Sequence, residues 1–436
     1  MKGDWFIDAY AAVIDRLLSE LRNEERQVPE VPTDWWVARL PEPSSDSPPL
    51  AAIDGGGGFE PLVGGSALYI ARAMAVFNPP GDPVKVVDVK LVPARDTRIL
   101  DALRSIVEHR AALRALERLP RDEATILMDG SYRAVVSAAL SSIRRAAYGH
   151  VSLASLYTGL ASLELLVVLS KLFQVALEHG VRIAYVSKDS GYRSFKEAVL
   201  LDLLSKEAER LNLLDLSVLA ERGARSYPLG RIREELLAWR KRVPPRLQSL
   251  IDMILDIGYR DTLFIDDFVG AAVGHTLALE LALGGLYGSD IEKSVDKLCD
   301  RVDEYIGGRE AENCRGLRDD AVRAYQMLPA ARMMYVRLAP GDDLLLVETP
   351  GSSRLASEGR SLEPLNDDEE EVLRVLVAGY AGPRFYNRWL VAAHEAATMR
   401  GEHLALYAKL LDSLARARGV RLRLARRVSV GVTGIV

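Results

Sequence analysis

Apolar and polar positions alternate along the chain with the two periods that are typical of strands and helices. An apolar run over Leu50–Asp54 predicts a short strand, and Ala67–Phe77 and Val84–Val92 predict two more. Short turns that contain glycine or proline join the three strands, so we expect an antiparallel meander. A helix is predicted over Thr97–Leu119, because its apolar side chains repeat on one face.

Strands and helices alternate after this first helix. We predict strands over Thr125–Met128 and Ile183–Val186, separated by a long and very apolar helix over Leu153–Leu177 that we expect to be buried. Such alternation favours parallel neighbours in a sheet. The whole order matches the ribonuclease-H-like arrangement. The predicted fold class is therefore α/β, with a ribonuclease-H-like (PIWI-like) mixed sheet core and a largely helical insertion.

Changes in composition divide the chain into three parts. Residues 1–49 are predicted to form an N-terminal helix and a Pro-rich linker. Residues 50–211 and 329–436 are predicted to form the core, and the charged, mostly helical stretch 212–328 is predicted to be an insertion. The second part of the core is predicted to contain strands at Met334–Leu338 and Leu344–Glu348, helices at Asp367–Ala378 and at Trp389–Arg400 continuing into His403–Arg418, and a last strand at Val428–Val436.

Composition and charge restrict the class of protein. With 436 residues, 49% of them hydrophobic, the chain can bury a large core, which excludes a wholly disordered protein. A net charge of −5 means that nucleic acid would have to bind in a local channel. There is no signal-peptide pattern, and the longest apolar stretches are broken by charge or turn residues. Cys299 and Cys314 are too few for a disulfide framework. We therefore expect a cytoplasmic protein with ordinary thiols and no membrane partner.

Arginine outnumbers lysine by 45 to 11. Arginine suits bidentate contacts with phosphate, although genome composition or adaptation to heat would give the same bias. In the insertion, basic residues are interleaved with Tyr227 and Trp239, a pattern that can track and stack a nucleic-acid single strand. The alternative is a solvated helix pair whose charges Glu234 and Glu235 balance. The basic residues concerned are Arg222, Arg225, Arg231, Arg233, Arg240, Lys241, Arg242 and Arg246.

Two aspartates are the strongest candidates for chemistry. Asp54 and Asp129 are each predicted at the C-terminal end of a buried strand, and glycine follows each of them. Ligands gather at such strand ends, and a buried aspartate is costly unless it is paired or binds a metal. A turn aspartate that caps the next segment is the ordinary explanation of a single Asp-Gly pair. Two such pairs on consecutive core elements favour a functional site.

Other side chains are candidates to complete this site. Glu108 lies in the middle of the first long helix, where Asp101 and Glu117 are its competitors. Three carboxylates fit Mn²⁺ or Mg²⁺ rather than zinc, and two such ions would activate a water and stabilise the leaving oxygen of a phosphodiester. Lys188, which ends the next strand, is a candidate to hold a phosphate, with an ordinary loop lysine as the alternative.

A tyrosine and a histidine near the C-terminal helices are weaker candidates. Tyr386 and His394 lie eight residues apart, and four alanines flank His394. Such a helix face can approach the sheet closely, so the imidazole could ligate a metal or transfer a proton. The alternative is a histidine that is satisfied within the core.

Several short motifs together resemble those of NurA nucleases. They are Ala51-Ala52-Ile53-Asp54-Gly55-Gly56, the Ala67–Phe77 strand with Arg72-Ala73, Met128-Asp129-Gly130-Ser131, and Tyr386 with Ala393-His394. They follow the family's order across about residues 50–195 and 330–400, which covers the core but not the insertion. The resemblance implies a fold similar to that of ribonuclease H and Argonaute PIWI domains, and a Mn²⁺-dependent nuclease.

The resemblance also implies roles, a substrate and partners. Carried to this sequence, it implies that Asp54, Glu108 and Asp129 ligate metal and that Tyr386 and His394 complete the site, His394 as a further ligand. The implied cofactor is Mn²⁺ (or Mg²⁺), as two ions. The implied substrates are single-stranded DNA and duplex ends resected in double-strand break repair. A HerA-type hexameric helicase and a second copy of the chain, giving a homodimer, are the implied partners.

One segment departs from the family pattern. The family tends to have Tyr-Pro and Pro-Leu steps where this chain has Tyr386-Asn387 and Trp389-Leu390. Tyr380 therefore competes with Tyr386 for the site. Two other functions stay open: a non-catalytic scaffold that clamps DNA or regulates a helicase, and an ATP-binding enzyme of the actin–hexokinase class. The second class duplicates its core, and no second copy is found after residue 200.

Overall fold

The computed structural model describes residues 30–43, 48–188, 190–287 and 291–420, with five further positions between residues 7 and 14. Most of the predicted N-terminal helix, part of the Pro-rich linker and the predicted strand Val428–Val436 lie outside the described residues. One sheet forms the centre of the molecule. Its strands are β1 Trp36–Val37, β2 Leu50–Pro61, β3 Ala67–Asn78, β4 Val84–Val92, β5 Thr125–Asp129, β6 Arg182–Ser187, β7 Gly274–Thr276, β8 Ala278–Leu281, β9 Pro329–Arg337, β10 Leu345–Arg354 and β11 Arg360–Glu363.

Helices cover both faces of this sheet. Those before the predicted insertion are α1 Thr97–Leu116, α2 Tyr132–Tyr148, α3 Leu153–His179 and α4 Ser194–Arg210. Those within it are α5 Leu214–Arg225, α6 Arg233–Arg240, α7 Pro245–Leu255, α8 Asp261–Val269, α9 Gly284–Tyr287, α10 Ile291–Tyr305 and α11 Gly308–Met327. Those after it are α12 Asp367–Ala378, α13 Arg388–Ala397 and α14 Gly401–Ala417.

The sheet is mixed, as the order of elements predicts. Strands β2, β3 and β4 form the expected antiparallel meander. Strand β5 lies between β2 and β6 and is parallel to both. Strands β10, β9, β7 and β1 continue the sheet beyond β6 with antiparallel pairings. The prediction of an α/β fold with a central mixed sheet is therefore confirmed.

Strand β2 is longer than the sequence predicts. It does not end at Asp54 but continues through four glycines to Pro61, paired with β3 along its whole length. Only its parallel pairing with β5 ends near the aspartate, at Ile53 opposite Met128. Glycine usually weakens a strand, which is why the run predicts a turn. Here β3 supplies the backbone partners, and the missing side chains let other elements approach closely.

Helix α2 is absent from the sequence prediction. Ser131 caps it by accepting a hydrogen bond from the backbone N–H of Ala134, and Val136, Leu140 and Ile143 are buried at helical spacing. A Ser followed by apolar residues at this spacing is a helix-start signal, so the sequence does contain the information.

Helix α3 is buried, as predicted. By length and composition alone it would be able to span a membrane. It packs against α1, α2 and α11, and 56% of its most apolar 18-residue stretch is buried inside the protein. Its side chains belong to the hydrophobic core that fills one face of the sheet. This is the environment of a core helix in a folded domain.

The predicted insertion is mostly helical, and its helices divide between two hydrophobic cores. Helices α5 to α8 pack with α4 and part of the sheet in one core, and α10 and α11 pack in the core that contains α3. The insertion also contributes to the sheet, because β7 and β8 both pair with β9. Several of its arginines form ion pairs, which favours the solvated-helix explanation over a nucleic-acid track. The pairs are Arg222–Glu235, Arg225–Glu221, Arg240–Asp252 and Arg246–Glu207.

The expectation of two ordinary thiols is wrong. Cys299 in α10 and Cys314 in α11 form a disulfide across two neighbouring helices, with a Cα–Cα distance of 5.5 Å. Both side chains are buried. Counting cysteines indicates only that a multi-bridge framework is impossible. It does not show that two helices of a hairpin bring these side chains together.

Candidate metal centre

The two aspartates lie side by side on neighbouring parallel strands. Since Ile53 pairs with Met128, Asp54 on β2 and Asp129 on β5 are each the next residue along their strands. Alternation along a strand points both carboxylates to the face of the sheet that carries α12 and α13. Asp129 ends β5, and Gly130 follows it in a backbone conformation with φ of +112° that favours glycine.

Both carboxylates have partners from α13 or the turn before it. Nδ1 of His394 lies 2.7 Å from Oδ2 of Asp54, whose Oδ1 accepts a 2.7 Å hydrogen bond from the Gly55 N–H. The Tyr386 hydroxyl donates a 3.1 Å hydrogen bond to Oδ1 of Asp129. One ligand atom each from Asp54, Asp129 and His394 lies within 4.8 Å of the others. This donor set of two carboxylates and one imidazole can hold a metal ion.

Negative charge is concentrated at this point, because the Asp54 and Asp129 carboxylates lie close together. Burial, followed by the charge of Asp54, raises the pKa of Asp129. Burial, followed by the charge of Asp129, raises the pKa of Tyr386, so the tyrosine stays a hydrogen-bond donor. A divalent cation would stabilise the ionised form of Asp129, which burial and the neighbouring Asp54 disfavour. The residues present therefore fit a metal ion.

Glu108 lies on the other face of the sheet, beside Gly55. Its side chain is buried against β2, so a Cβ added to Gly55 would lie only 2.5 Å from Glu108 Oε1. It stands outside the cluster whose ligand atoms lie within 4.8 Å of one another. Burial, opposed by Arg104 and aided by Asp54, raises the pKa of Glu108 to about 8. Its competitors Asp101 and Glu117 are both exposed.

The structure brings Lys188 and Tyr386 together at the same place. The ammonium of Lys188 lies 3.8 Å from the centre of the Tyr386 ring. Lys188 is exposed, so it can meet a phosphate that approaches the centre. Tyr380, the competing tyrosine, instead donates a hydrogen bond to Asp342. Of the two, Tyr386 is therefore the one that contacts a candidate ligand.

Local structure fixes the position of His394. Asn387 caps α13, because its side chain accepts hydrogen bonds from the backbone N–H groups of Trp389 and Leu390. The end of α13 lies directly on β2, where a Cβ added to Gly56 would be 2.3 Å from the Ala397 carbonyl oxygen. The alanines of α13 and the glycines of β2 make this approach possible.

Arg72 is a supporting residue whose role sequence reasoning missed. From β3, its Nε donates a 2.9 Å hydrogen bond to the Ala397 carbonyl, and its guanidinium also reaches the Thr398 carbonyl. These bonds satisfy the last carbonyls of α13. The predicted continuous helix therefore ends at Ala397, and α14 starts separately at Gly401. An arginine in the middle of an apolar strand was the available signal.

The family model of the NurA domain matches residues 48–398. No curated protein matches. The crystal structure of the NurA nuclease from Sulfolobus solfataricus is 14% identical, with 95% of each chain covered and a TM-score of 0.48. A crystal structure of NurA bound to dAMP and manganese is 16% identical, covering 94% of this chain and 98% of that chain, with a TM-score of 0.37.

Proposed function

The chain belongs to the NurA family, and from this premise we propose that it is a metal-dependent nuclease that hydrolyses phosphodiester bonds in DNA. The observation that carries the proposal is the cluster of Asp54, Asp129 and His394, whose ligand atoms lie within 4.8 Å of one another. Asp54 is buried and Asp129 is partly buried, and carboxylates in such places are costly to keep unless they are paired or bind a metal. A scaffold that only clamps DNA has no need of them.

We propose Mn²⁺ (or Mg²⁺) as the cofactor, in two ions, held by Asp54, Asp129 and His394 with Glu108 from the opposite face. Such ions activate water and offset charge on the phosphate when they are bound. The protein's own groups have separate tasks. Tyr386 orients Asp129 through its hydroxyl, and His394 contacts Asp54. Lys188 is exposed beside Tyr386 and would offset the negative charge of a phosphate group of the substrate.

We also infer that the core is ribonuclease-H-like. What supports this is the strand order β4-β3-β2-β5-β6, with an antiparallel meander followed by two strands parallel to β2. Asp54 and Asp129 lie on its neighbouring parallel strands β2 and β5. Crystals soaked in Mn²⁺ should give anomalous density between Asp54 and Asp129. Density elsewhere, with none here, would contradict this assignment.

A cleavage assay tests the proposed activity. Purified protein is mixed with end-labelled single-stranded and duplex DNA in the presence of Mn²⁺, Mg²⁺ or EDTA, beside an Asp54→Ala variant. We expect metal-dependent cutting by the wild type and none by the variant. Asp101→Ala, which changes an exposed carboxylate of α1, is the matched control and should cut normally. Full activity in the Asp54 variant would refute the mechanism, and no cutting under any metal would favour the scaffold.

The finer parts of the function are proposals of the same kind. We infer that the protein resects duplex ends in double-strand break repair with a HerA-type helicase, on the basis of family membership alone. Co-purification of the two proteins, and a gain in duplex degradation when the helicase and ATP are added, would test this. An unchanged rate and no stable complex would count against the partnership.

We further propose a homodimer. Exposed apolar side chains on the edge strand β4 and on α14 support an association surface. They are Val87, Val89, Leu91, Leu406, Leu410 and Leu414. Light scattering should give twice the mass of one chain, and Val89→Lys with Leu410→Lys should return the monomer. A wild-type monomer at micromolar concentration would contradict the proposal.

We propose the cytoplasm as the location, because the proposed substrate is chromosomal DNA. The disulfide Cys299–Cys314 is uncommon in that compartment except in hyperthermophiles, whose intracellular proteins are often disulfide-rich. Cell fractionation with an antibody against the protein tests the location. Recovery outside the cell would contradict it.

A further inference from the structure

The turn that supplies Tyr386 to the candidate metal centre also carries an exposed aromatic side chain. Phe385 immediately precedes Tyr386, whose hydroxyl is bonded to Asp129. Tyr386 is buried, yet 43% of Phe385 is exposed to solvent. Its phenyl ring therefore contributes little to the core, although it lies in the turn that supplies a residue of the site. An exposed phenyl ring has a cost in water that binding of an apolar surface would relieve.

The turn that carries this ring is held in one conformation. The Phe385 N–H donates to the Gly382 carbonyl at 3.0 Å, and the Arg388 N–H donates to the Gly379 carbonyl at 2.9 Å. Gly382 has a φ of +97°, which favours glycine. Asn387 fixes the other side of the turn by capping α13. The backbone that carries the ring is thus fixed before a ligand binds, and little conformational entropy of this turn would be lost on binding.

Three cations lie in or beside the turn that carries the ring. Lys188, Arg384 and Arg388 are exposed, and each lies over an aromatic ring: Lys188 over Tyr386, Arg384 over Phe385 and Arg388 over Trp389. None of the three has an ion-pair partner among the described residues. In a chain with a net charge of −5, cations that pair with no carboxylate beside a cluster of acids are available to an anionic ligand.

We propose that Phe385 is a stacking platform for a nucleobase next to the scissile phosphate, and that Lys188, Arg384 and Arg388 bind the flanking phosphates of a single strand. The inference rests on the proposed nuclease function and specifies how that site selects its substrate. A flat aromatic ring with flanking cations matches the alternation of bases and phosphates in a single strand. In a duplex the base faces are already stacked, so the platform requires an unpaired end.

The experiment measures binding and stacking separately from cutting. Wild type, Phe385→Ala, Phe385→Leu and Phe385→Trp are titrated in EDTA with a short single-stranded oligonucleotide that carries 2-aminopurine near its end. We expect Phe385→Ala and Phe385→Leu to bind about 10- to 100-fold more weakly and to lose the fluorescence quenching. Phe385→Trp should restore both. Tyr148→Ala removes an exposed aromatic of α2 and is the matched control.

An oligonucleotide with one abasic position strengthens the test. Wild type should bind it about as weakly as Phe385→Ala binds the normal strand, and Phe385→Ala should not distinguish the two strands. Mn²⁺ affinity, measured by electron paramagnetic resonance, should be the same in all the Phe385 variants. Equal binding of wild type and Phe385→Ala would overturn the proposal. So would a change of oligomeric state on Phe385→Ala, because the ring would then be a subunit contact.

The two levels of inference fail in different ways. If the wild type neither binds Mn²⁺ nor cuts DNA, the proposed function is wrong. If the wild type cuts DNA with Mn²⁺ but the Phe385 variants bind and cut as it does, only the stacking platform is wrong.

Discussion

At the scale of single residues, the candidate site holds two carboxylates close together, and a bound cation would offset the repulsion between them. Asp54 and Asp129 sit on adjacent strands, and their mutual charge helps to raise the pKa of Asp129. His394 and Tyr386 each contact one of the two carboxylates, but neither carries a permanent positive charge. The arrangement therefore costs stability in the absence of a cation and favours its binding.

Replacing one of the two acids should separate these effects. Asp54→Asn keeps the shape and removes the charge, so in EDTA we expect stability to be equal or up to about 1 kcal/mol higher. Mn²⁺ affinity and DNA cleavage should each fall at least roughly 100-fold, because a ligand is lost. Thermal unfolding in EDTA measures the stability, and titration with Mn²⁺ measures the metal affinity. A variant that loses stability but keeps its metal would contradict this explanation.

A buried lysine away from the site predicts a pH dependence. Lys196 is fully buried and its ammonium donates 2.8 Å hydrogen bonds to the Met253 and Asp256 carbonyls. Burial lowers the pKa of Lys196 to about 8 from its usual value of 10.5. Between these pH values the unfolded chain binds more protons than the folded chain, so stability should rise with pH. The full difference between the two pKa values corresponds to about 3 kcal/mol in the free energy of unfolding.

The comparison that isolates this contribution uses Lys196→Met. The free energy of unfolding of wild type should rise relative to that of the variant as pH increases from 7 to 10, roughly, since only the wild type has the lysine to titrate. Urea unfolding of both proteins at several pH values measures these free energies. Parallel curves for the two proteins would show that Lys196 does not titrate as proposed.

At the scale of elements, the glycines of β2 decide how closely α1 and α13 approach the sheet. Gly55 lies under Glu108 on one face, and Gly56 lies under Ala397 on the other. A strand with side chains at these positions would hold both helices away and separate His394 from Asp54. The run of glycines thus allows both helices to pack closely on β2. Glycine lowers the intrinsic stability of a strand, and the pairing with β3 offsets this loss.

Gly56→Ala tests this packing. The new Cβ would lie 2.3 Å from the Ala397 carbonyl oxygen, a backbone atom that cannot move without α13. We expect a loss of stability of about 1–3 kcal/mol, together with weaker cleavage because His394 shifts from Asp54. Gly81→Ala is the matched control, since nothing lies within 4 Å of its Cβ. Equal thermal midpoints for the two variants would contradict the close approach.

At the scale of the whole molecule, a covalent link ties together the helices that close one side of the core. Cys299 and Cys314 are 15 residues apart and join α10 to α11, which packs on the buried helix α3. The double variant Cys299→Ala/Cys314→Ala should be less stable by about 2–4 kcal/mol, since the cross-link restricts the unfolded chain. Cleavage at moderate temperature should be unchanged. A thermal midpoint equal to that of wild type would show that the disulfide contributes little.

The sequence by itself determined what depends on local periodicity and local turn chemistry. The bounds predicted for Val84–Val92 and Asp367–Ala378 agree with the structure, because alternation and capping are properties of neighbouring residues. The two Asp-Gly pairs also stand out locally, and the parallel arrangement of their strands follows from the alternation of elements.

Only the tertiary structure decided which side chains meet. Tyr386 and Asp129 are 257 residues apart, and His394 and Asp54 are 340 apart, so no local pattern distinguishes Tyr386 from Tyr380. The same holds for the disulfide and for the extension of β2 beyond Asp54, which depends on pairing with β3. Contacts between distant segments depend on packing in three dimensions, and the period of one segment carries no information about its partner.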